Sequence, residues 1–253
     1  MRKLLFICLC CLIPIWQYIY AESTESGYDD SEEVFEYVDL EQVPTGILAD
    51  YGIHLVAPEL YDGIVSETNC VTPFVWKSLY AGLQSSIVNS KCVMEESNDV
   101  FDFLSENNAL GIMYYKYNTF AEDALKRGLV TFEDGKIRIV QGQPSPYVEK
   151  ECFAVVPEEG SLPLAFDKNN FFTNTGLDVT LVEYKIDNGS YSVIPFSGGA
   201  MRIPTNPPGK YDVTFRVTFS NGKTMESHSI ITVKGNTTSP PYFLTSSLFC
   251  AII

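Results

Sequence analysis

The segment YDVTFRVTF, residues 211–219, decides the fold of the C-terminal half of this chain. Its apolar residues alternate with polar ones, so one face of an extended strand carries Tyr211, Val213, Phe215, Val217 and Phe219. The dipeptide Asn221-Gly222 follows and favours a tight hairpin turn, and residues 225–233 then fit a returning strand. This stretch predicts an antiparallel sheet with one buried face.

The preceding segment extends the β pattern toward the N-terminus. Residues 179–187 alternate in the same way and end at a second turn signal, Asp187-Asn188-Gly189. Short strands separated by such turns are typical of a β-sandwich. We therefore predict an all-β Ig-like sandwich over residues 160–234.

This region resembles the PKD and related Ig-like modules of bacterial surface proteins. The resembling stretches are EYKIDNG at 183–189, PGKYDVT at 208–214 and the Asn221-Gly222 hairpin. The sequence departs from the usual pattern because Asn188 separates Asp187 from Gly189 and the usual Trp is absent. The resemblance implies a PKD-like module that acts as a spacer or interaction domain.

Residues 43–155 mix helical and strand signals and are predicted to form a small α+β domain. Thr72 and Pro73 predict the start of a helix that reaches about residue 90, with apolar residues at helical spacing. Ser97 or Asn98 is predicted to cap a shorter helix. The apolar face of the first is Trp76, Leu79, Tyr80, Leu83 and Ile87, and that of the second is Val100, Phe101 and Leu104.

Residues 118–128 predict a third helix, because Thr119 and Glu122 have capping-box spacing and Gly128 fits a C-terminal stop. The pairs Glu122–Lys126 and Asp123–Arg127 support it at i,i+4 spacing. This helix would separate a strand at 110–117 from a hairpin. The hairpin is predicted from residues 129–132 and 136–140, which flank Asp134-Gly135.

Four stretches before residue 150 are similar to uncharacterised exported surface proteins of Bacteroidetes-type bacteria. They are VPTGIL at 43–48, YDG at 61–63, DAL at 123–125 and SPY at 145–147. The similarity implies a cell-surface or secreted protein. It implies no activity and no catalytic residue.

Residues 1–21 are predicted to be a signal peptide. Arg2 and Lys3 precede an uncharged, apolar run over residues 4–20, and Ala21 supplies the small residue before cleavage. We expect an exported protein at the cell surface, outside the cell or in the periplasm, with no stable membrane span after cleavage. A retained anchor is the alternative, although Pro14 weakens a spanning helix.

Cleavage after Ala21 would remove two positive charges and no acid, which changes the formal charge from −15 to −17. A chain this acidic is not expected to bind nucleic acid or anionic lipid through charge. Residues 22–42, rich in acids, are predicted to form a flexible leader. A calcium site there would need a spacing and a turn glycine that the segment lacks.

Residues 235–253 form an atypical, largely apolar tail that is too short to cross a bilayer as a helix. Two interpretations remain open. Either the gene product is truncated or altered here, or the tail docks on the sandwich as an edge strand.

Cys70, Cys92, Cys152 and Cys250 would survive cleavage, and an oxidising compartment permits disulfides. Cys70 with Cys92 is the predicted pair, although four cysteines allow three connectivities. After cleavage the chain has no C-x-x-C and only two histidines, so we expect no metal site and no cofactor.

The sequence offers no specific catalytic motif. His54 and His228 are predicted to be structural or surface histidines rather than catalytic ones. Exposed aromatic rings could stack on sugars, but strand and helix patterns favour burial of the candidates, which are Trp76, Tyr80, Tyr114, Tyr115 and Tyr117.

These patterns together favour a non-catalytic structural or binding protein whose partner is an extracellular glycan or protein. The alternative is a fragment of an extracellular hydrolase that acts on glycans or peptides. Its catalytic residues would have to lie between residues 45 and 150, where paired carboxylates cannot be recognised from sequence.

Overall fold

The computed structural model of this chain describes residues 31–107, 109–156, 164–165, 168–194, 200–201 and 209–233. The predicted signal segment, the apolar tail and Cys250 lie outside these residues. The described α-helices are α1 Ser31–Val34, α2 Pro73–Ser85 and α3 Ser97–Glu106. Three 3₁₀ turns occur at Leu40–Gln42, Pro58–Leu60 and Lys168–Asn170.

Most of the regular structure is β, arranged in several sheets. The strands are β1 Cys70–Val71, β2 Gly111–Phe120, β3 Val130–Glu133, β4 Lys136–Ile139, β5 Tyr147–Val156, β6 Leu164–Ala165, β7 Phe171–Thr173, β8 Val179–Ile186, β9 Ser192–Val193, β10 Ala200–Met201, β11 Gly209–Phe219 and β12 Thr224–Val233. The larger sheet has the order β1-β12-β11-β8-β9, and a second sheet has the order β5-β2-β7. Two-stranded ribbons pair β3 with β4 and β6 with β10.

The predicted hairpin turns are confirmed by the backbone. Gly222 has a φ of +83° between β11 and β12, which pair antiparallel as predicted. Asp134 and Gly135 have φ values of +53° and +76°, the positive pair that a type I′ turn requires. Asp187, with a φ of +49°, begins the turn that leads from β8 to β9.

The two larger sheets face each other across one hydrophobic core. The sheet β5-β2-β7, the smaller of the two, contributes the buried residues Ile112, Tyr114, Phe153 and Val155, and Leu110 precedes β2 in the same core. The buried residues from the larger sheet include Val182, Val213, Phe215, Val217, Phe219 and Met225. The side chains predicted to face inward on β11 are therefore the ones that the core buries, apart from Tyr211, which is partly buried.

Strand pairs connect residues on the two sides of the predicted domain boundary between residues 155 and 160. Cys70–Val71, from the predicted α+β domain, pairs in parallel with β12 of the predicted sandwich. In the other direction, Phe171–Thr173 pairs in parallel with β2. Strands from both predicted domains thus share both larger sheets and the core between them.

Helix α2 covers the opposite face of the smaller sheet. Thr72 Oγ1 accepts a hydrogen bond from Val75 N at 3.2 Å, and Pro73 stands at the first turn, as predicted. The helix ends at Ser85 rather than near residue 90. The chain leaves it because the main chain of Ser86 and Val88 bonds to Leu48 and Gly46 instead. α3 buries Val100 and Leu104, as predicted, but its N-cap is Glu96, which makes no side-chain cap hydrogen bond, and the predicted cap at Ser97 or Asn98 is wrong because both residues lie inside the helix.

The predicted helix at 118–128 is wrong. Residues 118–120 continue β2 opposite β5, and residues 121–128 form a succession of turns. Thr119 Oγ1 donates to Asp50 Oδ2 at 2.7 Å instead of capping a helix, and Phe120 N donates to the same oxygen at 2.8 Å. These tertiary contacts outweigh the local helical preference, although the Asp123–Arg127 ion pair does form at 3.4 Å.

The C-terminal part of the predicted flexible leader packs against the protein. Phe35 and Val38 are buried in a third hydrophobic cluster with Phe120 and Val130. Lys91 and Asn89 also bind main-chain carbonyls between residues 40 and 43. This packing was not predicted from the sequence, because Phe35 and Val38 are isolated apolar residues in a segment rich in acids.

Candidate functional site

The aromatic residues considered as a sugar-stacking platform are core residues. Trp76, Tyr80, Tyr114, Tyr115 and Tyr117 are each no more than 3% exposed. Trp76 Nε1 donates to the Ala154 carbonyl at 3.3 Å, and Tyr80 Oη donates to the Glu95 carbonyl at 3.0 Å. Their rings are therefore closed to a ligand.

His54 contacts a serine but does not form a nucleophilic pair with it. Its Nε2 lies 2.9 Å from Ser86 Oγ and 3.1 Å from the Ala49 carbonyl oxygen. The Ser86 hydroxyl donates to the Gly82 carbonyl at 2.7 Å, so its proton is not directed at the imidazole. Ser86 is fully buried, and burial lowers the pKa of His54. The pair holds the loop around residue 54 against α2.

His228 lies on the outer face of the larger sheet, with Nε2 3.1 Å from Asp212 Oδ2. Cys70 is its register partner on β1. Burial raises the pKa of the Cys70 thiol, which disfavours the thiolate that nucleophilic attack requires. This group is therefore not arranged as a thiol catalytic centre.

Cys70, Cys92 and Cys152 are free thiols, so the structure lacks the predicted Cys70–Cys92 disulfide. Cys70 pairs with β12, whereas Cys92 is buried with its Sγ 3.9 Å from Asn174 Nδ2. Short separation in sequence suggested the pair, but the two thiols lie in different surroundings. Among the described residues, no group of three or more His, Cys, Asp or Glu side chains could hold a metal ion.

A charged groove lies at one end of the sandwich. Along β2, the face that carries Ile112 and Tyr114 into the core continues with Lys116. Along β5, the face that carries Val155 and Phe153 continues with Glu151 and then Glu149. The groove has a volume of about 390 Å³ and is lined by Pro44, Thr45, Lys91, Tyr114, Lys116, Glu149, Glu151, Asn174, Thr175, Leu177, Asn221 and Lys223.

A three-residue network spans the two sheets at this groove. The Tyr114 hydroxyl donates to Glu151 Oε1 at 2.7 Å, and Lys223 Nζ donates to the Tyr114 hydroxyl at 3.2 Å and to Glu151 Oε2. Although burial opposes it, hydrogen bonds from Lys223 and Tyr114 lower the pKa of Glu151. Burial and the bond to Glu151 raise the pKa of Tyr114. At neutral pH the network therefore holds a carboxylate on Glu151 and a neutral phenol on Tyr114.

A second ion pair lies next to this network. Lys116 Nζ is 2.6 Å from Glu149 Oε1, and this hydrogen bond raises the pKa of Lys116. The Asn174 side chain fixes the main chain of Lys116, since Oδ1 accepts from its N–H at 2.8 Å and Nδ2 donates to its carbonyl at 2.8 Å. The Lys116 and Glu149 side chains remain 36% and 48% exposed, so their polar atoms are accessible to a ligand.

The lining supports binding better than hydrolysis. Among the described residues that line it there is no Ser, Cys or His to serve as nucleophile or general base. Its two carboxylates both pair with lysines, and the lowered pKa of Glu151 is opposite to what a glycosidase acid needs.

The outer edge of β5 lies beside the groove. Phe153 N donates to the Tyr61 carbonyl at 2.6 Å, so the N–H groups of odd-numbered residues on β5 point away from β2. In the part of the chain that the structure describes, the outward N–H groups of Glu149 and Glu151 have no hydrogen-bond partner. Charged side chains at such an edge oppose pairing with another strand.

The charged groove was not predicted from the sequence. The feature of the sequence that could have indicated it is Lys116, a charged residue on the same strand face as Ile112 and Tyr114 in a largely apolar segment. Glu149 and Glu151 repeat the signal on the neighbouring strand, directly before a buried run. Charges on the core-facing side of two paired strands indicate that the core ends there.

A search of the described residues for membrane-crossing helices finds none of sufficient length and apolarity. Comparisons with protein-family models, with curated proteins and with solved structures found no match.

Proposed function

We propose that this chain is an exported, non-catalytic binding protein that acts at the cell surface or outside the cell and holds a hydroxyl-rich glycan in the charged groove. Export rests on the predicted signal peptide. The glycan assignment rests on the lining of the groove.

The observation that carries this proposal is the interleaving of hydrogen-bond donors and acceptors in the charged groove. Lys116 and Lys223 stand beside Glu149 and Glu151, with the Tyr114 hydroxyl between the larger sheet and the smaller one. Each sugar hydroxyl both donates and accepts, so it matches a lining of this kind. The ion pairs hold the charged groups in place before a ligand arrives, which lowers the entropic cost of binding.

An apolar ligand fits this groove poorly. Pro44 and Leu177 are its apolar lining residues, whereas ligand pockets for drug-like molecules are predominantly apolar. A volume of about 390 Å³ suits a small polar unit such as one or two sugar rings.

The Ig-like resemblance is part of the same proposal. The antiparallel pairing of β8, β11 and β12, with hairpin turns at the resembling residues, supports a PKD-like spacer or interaction module. In this chain β1, from the N-terminal half, adds to the same sheet. The module would therefore support the groove as part of the same sheet and would not be a separate unit joined by a linker.

The test is a glycan array with the purified protein, followed by calorimetric titration of the glycans that bind. Lys223→Met should weaken binding by about tenfold or more, since a hydrogen bond to a charged group contributes about 1.5–3 kcal/mol. Lys210→Met, an exposed change on the same sheet, is the matched control and should leave the affinity unchanged.

Two results would contradict the proposal. If Lys223→Met binds as well as the parent protein, the ligand does not lie in the charged groove. If the bound glycan is cleaved, as measured by release of reducing ends, the protein is not a non-catalytic binder.

A further inference from the structure

The charged groove is positive, in contrast to the rest of the protein. Lys91, Lys116 and Lys223 supply three positive charges, and Glu149 and Glu151 supply two negative ones. The groove therefore has a formal charge of +1 within a chain of formal charge −15. Such a local reversal of charge attracts an anionic group to this position.

The unbalanced charge belongs to Lys91. Its Nζ donates to the main-chain carbonyl oxygens of Glu41 at 2.6 Å and Val43 at 3.1 Å. Within the described part of the chain, no carboxylate lies within ion-pair distance of this ammonium, whereas Lys116 and Lys223 each have a glutamate partner. The carbonyls orient the ammonium without neutralising it. Of its three N–H donors, one remains for a ligand.

We infer that the ligand carries a carboxylate on its sugar, as a uronic acid does, and that Lys91 binds this carboxylate while the paired charges bind the hydroxyls. This inference rests on the proposed function. One carboxylate neutralises the groove without displacing Glu149 or Glu151 from its lysine.

Other anions match the groove less well. Phosphate and sulfate are often bound by bidentate arginine forks or by clusters of main-chain N–H groups, and no arginine is among the described residues that line the groove. The carboxylate of a peptide would bring apolar or bulky side chains, for which the described lining offers the apolar residues Pro44 and Leu177. A carboxylated sugar uses both the free ammonium and the hydroxyl-binding pairs.

The test compares an oligogalacturonate with the same oligosaccharide after its carboxylates have been reduced to alcohols. The two probes share every ring hydroxyl and differ in charge, so the ratio of their affinities isolates carboxylate recognition. The parent protein should bind the charged probe at least about tenfold more tightly, and the difference should shrink in high salt.

Lys91→Gln removes the unpaired positive charge from the groove and should bring the ratio of the two affinities close to one. Lys126→Gln removes the same charge from an exposed turn outside the groove and should retain the preference. Thermal melting of both variants monitors folding. A Lys91→Met variant, tested in parallel, removes the charge and the donor together.

Equal affinity for the charged and reduced probes would overturn the carboxylate assignment but leave glycan binding intact. Binding of neither probe, together with a glycan array without hits, would refute the proposed function as well. Displacement of the oligogalacturonate by an acidic tripeptide at similar concentration would instead identify the groove as a peptide site.

Discussion

Replacement of Phe215 by alanine tests whether the two predicted domains form one cooperative unit. Phe215 is fully buried in the core between the sheets, on β11, and that core also contains Phe153 and Val155 of β5. Between them on β5, Ala154 accepts the indole hydrogen bond of Trp76. A path of direct contacts therefore links Phe215, beyond residue 160, to Trp76 in the N-terminal half.

The expected loss follows from the size and burial of the side chain. Removal of a buried Phe side chain costs about 3–5 kcal/mol, from lost apolar transfer energy and from the cavity left behind. For a chain of this size each kcal/mol lowers the melting temperature by about 2–4 °C, so the expected shift is roughly 6–20 °C. If the two halves unfold together, the N-terminal half should lose the same stability.

Tryptophan fluorescence provides the local measurement. Trp16 and Trp76 are the two tryptophans of the chain, so replacement of Trp16 by Phe leaves Trp76 as the reporter. In urea, its transition should coincide with the loss of far-UV circular dichroism, and Phe215→Ala should move both midpoints equally. Val193→Ala, at an exposed edge position, should change the free energy of unfolding by less than about 0.5 kcal/mol.

A separated result would refute the shared core. If Phe215→Ala splits the circular dichroism transition in two while the Trp76 midpoint stays fixed, the halves unfold independently. The contacts between β5 and β11 would then contribute little to stability.

Two further predictions concern Asp50 and the edge of β5. Burial raises the pKa of Asp50 despite hydrogen bonds from Phe120 and Thr119. The folded state therefore binds more protons than the unfolded state at this carboxyl group. The free energy of unfolding should fall as pH rises from the ordinary aspartate pKa, about 4, through the raised value. Asp50→Asn should flatten that part of the profile of urea midpoint against pH, and an unchanged slope would contradict the assignment. Glu149→Val removes a charge from the open edge of β5 and should produce concentration-dependent association in light scattering, whereas Glu122→Val, in an exposed turn, should not.

The long strands of the larger sheet, β8, β11 and β12, were predictable because each follows a simple rule. One face of β11 lies in the core and the other is polar, so alternation along the strand reports its orientation directly. The turns at Asp134-Gly135 and Asn221-Gly222 were predictable for a similar reason, since few residues adopt a positive φ without strain.

The errors arose where distant residues decided the local structure. The segment 118–128 has helical spacing and capping, but Asp50 binds Thr119 and Phe120 from about 70 residues away and keeps them extended. The pairing of β1 with β12 was unpredictable likewise, because a two-residue strand is too short to carry a pattern. Sequence periodicity reports which face is buried and not which partner buries it.

The charged groove was hidden for the same reason, and Tyr114 shows how. Its ring packs on Phe219, with centroids 4.9 Å apart, at the end of β11, while its hydroxyl contacts Lys223 just after the Asn221-Gly222 turn. The larger sheet thus ends opposite Tyr114. Lys116, the next residue on the same face of β2, lies beyond the end of the larger sheet, so its charged side chain lines the groove. The position of the turn in the C-terminal half therefore sets where this core stops and where the charged groove opens in the N-terminal half.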